Sequence, residues 1–259
     1  MPGGKPLAEP CDVIYIYDGS FEGFLCCVHE SVYSRELPQS IVPEGELEPT
    51  LFGQRRIETD SEKARKVYAS IPAKISKEAL GLVRNIFLSC LKDKELATLR
   101  FLLKGYRIGA GIMQMLGEAD VAVLLKAERH VMHESHLLKG FIRFSDYDGF
   151  LAAAITPKNF VLPFIASHFI ERFSGEKFMI YDKAHQAALV YRDRKYEIIR
   201  PEHIEFPQAS ETEEKYRELW KRFYDTIAID ARYNPKCRMS HMPKRYWENM
   251  TEVKELLKQ

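Results

Sequence analysis

Gly140-Phe141-Ile142-Arg143-Phe144-Ser145-Asp146-Tyr147-Asp148-Gly149-Phe150-Leu151-Ala152-Ala153-Ala154-Ile155 is where the pattern of this chain changes. Upstream, from Ser76 to Gly140, apolar residues recur every three or four positions, the spacing of helices that bury one face. Within the stretch, Phe141–Phe144 and Phe150–Ile155 flank Asp146-Tyr147-Asp148-Gly149, which is hairpin turn chemistry. Downstream, segments 178–181, 187–191 and 196–199 repeat the strand signal at meander spacing. The sequence therefore predicts an α+β fold, a helical block packed beside an antiparallel β-sheet.

Working outward, 78–91, 95–104, 110–116 and 118–138 read as helices, broken at Lys92-Asp93-Lys94, Gly105, Gly109/Gly111 and Gly117. An amphipathic helix over 161–173 interrupts the strands. A linker, 206–214, leads into a helix over 213–227, then an irregular basic stretch to Trp247 and a last short helix. Toward the N-terminus, Val13–Tyr17 reads as a strand, Asp18-Gly19-Ser20 as turn and cap, and 21–35 as a helix. A loop punctuated by Pro38, Pro43, Gly45, Pro49 and Gly53 follows, then a short strand at 55–58 and a helix from Ser61 that Pro72 ends. This gives an N-terminal α/β module over 1–80 and an α+β domain over 81–259. In the latter, 76–140 forms the helical cluster and 141–259 the sheet and its helices.

Charge decides little: 38 Lys plus Arg stand against 37 Asp plus Glu. Apolar residues make up 46% and aromatics 12%, a globular rather than disordered composition. The longest stretch free of charged side chains, Asn159 to Ile170, is 12 residues, short of the about 20 that cross a bilayer. The opening MPGGKPLAEPCD has no apolar core behind a basic tip, so no secretion signal is read there. A cytoplasmic protein is expected. The five cysteines (Cys11, Cys26, Cys27, Cys90 and Cys237) form no Cys-x-x-Cys pair, which removes the common zinc, thioredoxin and iron–sulfur spacings.

His130, His133 and His136 resemble a metal patch, but a helical wheel puts them on a flank with Lys126 and Arg129, off the face of Val121, Leu125, Val131, Met132 and Ser135. No third convergent ligand is evident, so neither a metal nor another cofactor is expected. Asp18, Gly19 and Ser20 could hold an anion on backbone N–H groups, though a helix cap alone explains them. Between Ala231 and Trp247 there are five cations (Arg232, Lys236, Arg238, Lys244 and Arg245) and no carboxylate. Tyr233, His241, Tyr246 and Trp247 are interleaved with them, as in a surface that pairs phosphate contacts with base stacking. The bland alternative is that Tyr246 and Trp247 pack the tail on the core. Arg143 inside a strand, with Asp182 as a candidate partner, and His168 and Arg172 on one helix face are either a buried network or a ligand-facing cluster.

Four motifs occur in order: Tyr17-Asp18-Gly19-Ser20-Phe21-Glu22-Gly23-Phe24-Leu25, Gly140-Phe141-x-Arg143-Phe144, His168-Phe169-x-x-Arg172-Phe173 and Pro243-Lys244-Arg245-Tyr246-Trp247. Together they resemble a bacterial family of DNA-metabolism proteins that contain a domain of unknown function, over nearly the whole chain. The resemblance implies a DNA-repair or modification context, with a radical-SAM protein or a uracil-DNA glycosylase as partner. Phe178 stands where the family often has Trp, and His185 where a basic residue is expected. The chain lacks Cys-x-x-x-Cys-x-x-Cys and a glycosylase-type His-Pro-Ser segment, so it resembles neither partner enzyme itself. The leading expectation is an accessory protein that binds single-stranded or damaged DNA and a partner enzyme, with Arg232, Asn234, Lys244, Arg245, Tyr246 and Trp247 in contact. One alternative is an enzyme acting on a modified base or nucleotide, using Arg143, His168, Arg172 and Asp182. Another is a structural adaptor without nucleic-acid contact.

Overall fold

The computed structural model describes residues 8–257 apart from 203, 205, 207 and 208. The first seven residues of the N-terminus read above, and Pro207 and Gln208 of the expected linker, lie outside the described residues. The chain forms two compact units that divide between His130 and Val131. Each has its own apolar core. Among the described residues no single helix is long and apolar enough to cross a membrane.

In the first unit β1 (Glu9–Pro10) and β2 (Val13–Tyr17) precede α1 (Phe21–Ser34). Ser20 caps α1 by accepting the Gly23 amide at 2.9 Å. Then come β3 (Glu36–Leu37), β4 (Ser40–Pro43) and β5 (Gly53–Arg56), all pairing in parallel, with β2 central between β4 and β5. The expected loop thus hides a strand: Ile41, between two prolines, is 2% exposed against β2. Helix α2 (Ser61–Lys74) runs past Pro72 instead of ending there. Pro72 costs one hydrogen bond, but Ile71 and Ile75 on either side are buried, and their packing carries the last turn. Helices α3 (Lys77–Phe87) and α4 (Lys94–Ile108) follow. Gly105 does not break α4: a Cβ there would lie 2.6 Å from Ile75 Cδ1, so the glycine permits close packing. A 3-10 turn at Gly109–Gln114 leads to α5 (Ala119–Phe141).

The second unit is built on a five-stranded sheet. Its strands are β6 (Ser145–Asp146), β7 (Phe150–Ile155), β8 (Lys177–Asp182), β9 (Ala187–Arg192) and β10 (Lys195–Ile199), in spatial order β10-β9-β8-β7-β6. Helix α6 (Leu162–Arg172) connects β7 to β8. The fold is α+β as expected, but the sheet is not purely antiparallel: β7 and β8 run parallel. A helix between two strands carries the chain back to its starting edge, and meander spacing alone missed that. The expected strand 141–144 is also corrected, because Phe141 ends α5 and only Ser145–Asp146 pairs with β7. The hairpin itself forms, with Asp148 and Gly149 at φ +53° and +83°, the left-handed pair a tight two-residue turn needs. Helices α7 (Glu211–Ile227) and α8 (Pro235–His241) follow, then a 3-10 segment at Lys244–Asn249 that inserts Tyr246 and Trp247 into the core, where Met250 just after it joins them.

Candidate functional site

Parallel strands end side by side, and open α/β sheets bind ligands outside such carboxyl ends. Here Ile155 closes β7 opposite Asp182, the last residue of β8. The loops leaving both strands, together with α5 and the 244–249 segment, converge on one polar cluster. At its base is Glu134, 1% exposed. It accepts the amides of Lys158 and Asn159 at 3.1 and 2.8 Å, Asn159 Nδ2 at 2.6 Å, the Tyr246 hydroxyl at 2.9 Å and Arg245 Nη2 at 3.0 Å. Burial raises the pKa of this carboxyl, but the hydrogen bonds from Asn159, Lys158 and Tyr246 outweigh it and leave it below the usual range. Asn249 bridges the loops, donating to Thr156 Oγ1 at 3.1 Å and accepting Lys183 Nζ at 3.2 Å.

Asp182 is fully buried and takes the amides of Ala184 and His185 at 3.0 and 3.1 Å. Its other oxygen lies 2.7 Å from His185 Nδ1. A carboxylate at that atom holds the proton on Nδ1 and leaves Nε2 able to accept one, the arrangement of an oriented general base. Phe160 packs edge-on against the same imidazole, centroids 5.4 Å apart. An open recess lined by Phe141, Ile142, Thr156, Tyr246 and Asn249 has ≈ 10 Å³ of free volume, about the space of one water.

The sequence-predicted residues are partly gathered here. Asp182, Arg245 and Tyr246 belong to the cluster. Arg143 does not meet Asp182, correcting the expected pair: its Nη2 and Nε bind Glu252 at 2.6 and 3.3 Å, and its guanidinium lies over the Trp220 ring. Glu252 is 7% exposed, and Trp220 Nε1 donates to it at 3.0 Å. His168 and Arg172 sit one turn apart on α6. Burial, with Lys139 and Arg172 nearby, lowers the pKa of His168. Tyr246 and Trp247, expected to meet a base, are 3% and 2% exposed, so no base reaches either ring without opening the core. Arg238 lies over the Tyr233 and Trp247 rings, and Lys244 over Trp247. Arg232, Lys236 and Lys244 are exposed, and Tyr233 is 71% exposed. Asn234 caps α8, accepting the Cys237 amide at 3.0 Å.

In the first unit, Asp18 accepts the Ser20 amide at 2.9 Å, the Ser20 hydroxyl at 2.7 Å and Thr59 Oγ1 at 2.8 Å. The carboxylate therefore occupies the turn an anion would need, and Gly19 (φ +78°) lets it fold back. His130, His133 and His136 are exposed. Among the described residues no three His, Cys, Asp or Glu side chains group as metal ligands.

Sequence reasoning missed Glu134 and Glu252. The signal for Glu134 was present, since Val131, Glu134 and Leu138 share one helix face and all three are buried. A carboxylate at a core position implies waiting donors. Glu252 had no such signal, its partner being 109 residues away.

No curated protein matches the chain in sequence. A solved structure titled pGpG-specific phosphodiesterase PggH, from Vibrio cholerae, is 11% identical and covers 69% of this chain and 81% of its own, with a TM-score of 0.33. Likeness at that level supports no argument about fold or function. A family model described as a domain of unknown function, DUF4130, matches residues 92–252, well over half of the 259. The chain belongs to the DUF4130 family.

Proposed function

We propose that this protein is a nucleic-acid-binding accessory factor acting beside a DNA-modifying or repair enzyme of the radical-SAM or glycosylase kind. The observation that carries the reading is the largely exposed stretch from Arg232 to Lys244, which holds no carboxylate and leaves Arg232, Lys236, Lys244 and the Tyr233 ring, with Arg238 over it, open to solvent. Cations at that density neutralise phosphates, and an exposed ring accepts an unpaired base. The four motifs resembling DNA-metabolism proteins supply the DNA context. The contact set differs from the sequence expectation: Arg245 is committed to Glu134, and Tyr246 and Trp247 are core. Three cations on a single strand give a log–log salt slope of roughly −2, at about −0.7 per contact.

Fluorescence anisotropy with a labelled single strand at several salt concentrations tests this. Lys236→Glu should weaken binding to every sequence and flatten the slope. Tyr233→Ala should reduce the preference for single over double strands and leave the slope unchanged. Absence of binding at low salt by the wild type rejects the reading.

The second reading is an enzyme, favoured by the Asp182–His185 pair at the carboxyl edge of β7 and β8. It requires turnover of a nucleotide or modified base that is lost in His185→Gln at unchanged stability.

A further inference from the structure

Helix α7 meets its own unit through polar groups and turns its apolar side to solvent. Glu213 accepts the Asp146 amide at 3.2 Å and Arg217 Nε at 2.9 Å, and Arg217 Nη2 donates to Ser145 Oγ at 2.6 Å. Trp220 Nε1 reaches Glu252 and Lys221 pairs with Glu255. Tyr224 adds the apolar contact on that side. At 100° per residue these positions form one face. The neighbouring face carries Tyr216, Leu219, Phe223 and Ile227, exposed 65%, 60%, 53% and 58%, with Trp220 at the border, 41% exposed. A surface helix ordinarily does the reverse. At about 150–250 Å² for a large side chain, the stripe leaves roughly 500 Å² of apolar surface in water, the upper range for a monomer.

We propose that this face is a homodimer interface, with α7 packed antiparallel on α7 of a second copy about a two-fold axis near Leu219 and Trp220. The stripe is complementary to itself in that orientation. Tyr216 of one copy meets Phe223 of the other, and Leu219 meets Trp220. Two such patches bury about 1,000 Å², the size at which a specific interface begins. A polyanion or an anionic lipid surface suits this face poorly. Its solvent side carries Glu211, Glu214, Glu218 and Asp225 against Lys215 and Arg222. The site is separate from the basic stretch, so its test does not depend on nucleic-acid binding.

Sedimentation equilibrium of the full chain across the micromolar range, with circular dichroism alongside, decides it. The wild type should dimerise. Phe223→Glu, at an exposed position that leaves the helix content unchanged, should raise the dimer dissociation constant about 30-fold or more. Leu219→Glu, also at an exposed position of the stripe, should weaken the dimer to a similar extent, and Glu218→Arg on the opposite side of the helix should leave it unchanged. A wild type monomeric at every concentration, including one whose stripe is covered by a different protein, overturns the proposal. So does a Phe223→Glu or Leu219→Glu chain that stays dimeric.

Discussion

Replacing Glu134 by alanine tests whether the polar cluster holds the second unit together. Its carboxylate receives five hydrogen bonds, from Lys158, Asn159 (two), Tyr246 and Arg245. After truncation the Tyr246 hydroxyl, in a residue 3% exposed, and the backbone amides of Lys158 and Asn159 lose the acceptor they share. Each buried orphan costs about 1–3 kcal/mol. Arg245, only half-buried, turns to water and contributes less. The sum, about 3–5 kcal/mol, matches the cost of breaking a buried charged pair from one side. At roughly 2–4 °C per kcal/mol for a chain of this size, the melting temperature should fall by about 10 °C. Glu134→Gln keeps one acceptor and should lose less, about 1–3 kcal/mol. The folded pKa lies below the unfolded one, so the carboxylate's contribution is complete above the unfolded value and disappears as pH falls through the folded value. The gap between wild type and Glu134→Gln should therefore close as the pH is taken below the ordinary carboxylate range. Thermal melts followed by circular dichroism at neutral and acid pH measure both effects. A Glu134→Ala protein that melts within 2 °C of wild type at neutral pH refutes the account, because the five donors would then be satisfied without the carboxylate.

A double-mutant cycle on Arg143→Ala and Glu252→Ala should give a coupling of about 1–3 kcal/mol, whereas Arg143→Ala and Asp182→Ala should add within about 0.5 kcal/mol. Coupling in the second cycle instead of the first would restore the pairing expected from sequence. Glu95 is 6% exposed, and burial pushes its carboxyl pKa up, so its ionised form costs stability progressively as pH rises from the unfolded pKa through the folded one. Glu95→Gln keeps an acceptor for the Tyr17 hydroxyl and should raise the melting temperature at neutral pH by roughly 2–4 °C for each kcal/mol recovered, with no gain in acid. A drop at neutral pH would show the charge is needed. Gly23→Ala puts a Cβ 2.2 Å from Asp18 Oδ1 and 2.9 Å from Thr59 Oγ1, and chemical denaturation should report a loss of about 1–3 kcal/mol. Wild-type stability there would mean the Asp18 turn is free to move.

Local chemistry was legible in the sequence. Ser20, Asp60 and Ser76 cap the helices they precede, and the Asp148-Gly149 turn closes its hairpin, because each depends on residues within four positions. Strand direction was not, since β7 and β8 take their relation from the path of α6 rather than from their own residues. Ile41 and Val42 are too few between prolines to announce a strand, and become one only against β2. The candidate site was half legible. Asp182 stands out at the end of an apolar run and Arg245 in a basic, aromatic stretch, but their partners, His185 three residues on and Glu134 over a hundred back, follow only from the fold.

That asymmetry bears on what the family motifs mean. Tyr17 donates to Glu95, and Arg143 clamps Glu252. Phe144 packs against Phe169, Phe173 and Phe178. Arg245 and Tyr246 close over Glu134. Each motif therefore has a side chain that ties distant segments of its own unit together. Removing such a residue costs stability first, and a loss of function that followed would say nothing of contact with a ligand. Positions that can discriminate are the ones this scaffold leaves in water: Arg232, Tyr233, Lys236 and Lys244 on the basic stretch, and the outward stripe of α7. Substitutions there cost little folding energy, so a change in binding, turnover or assembly is attributable to the surface itself.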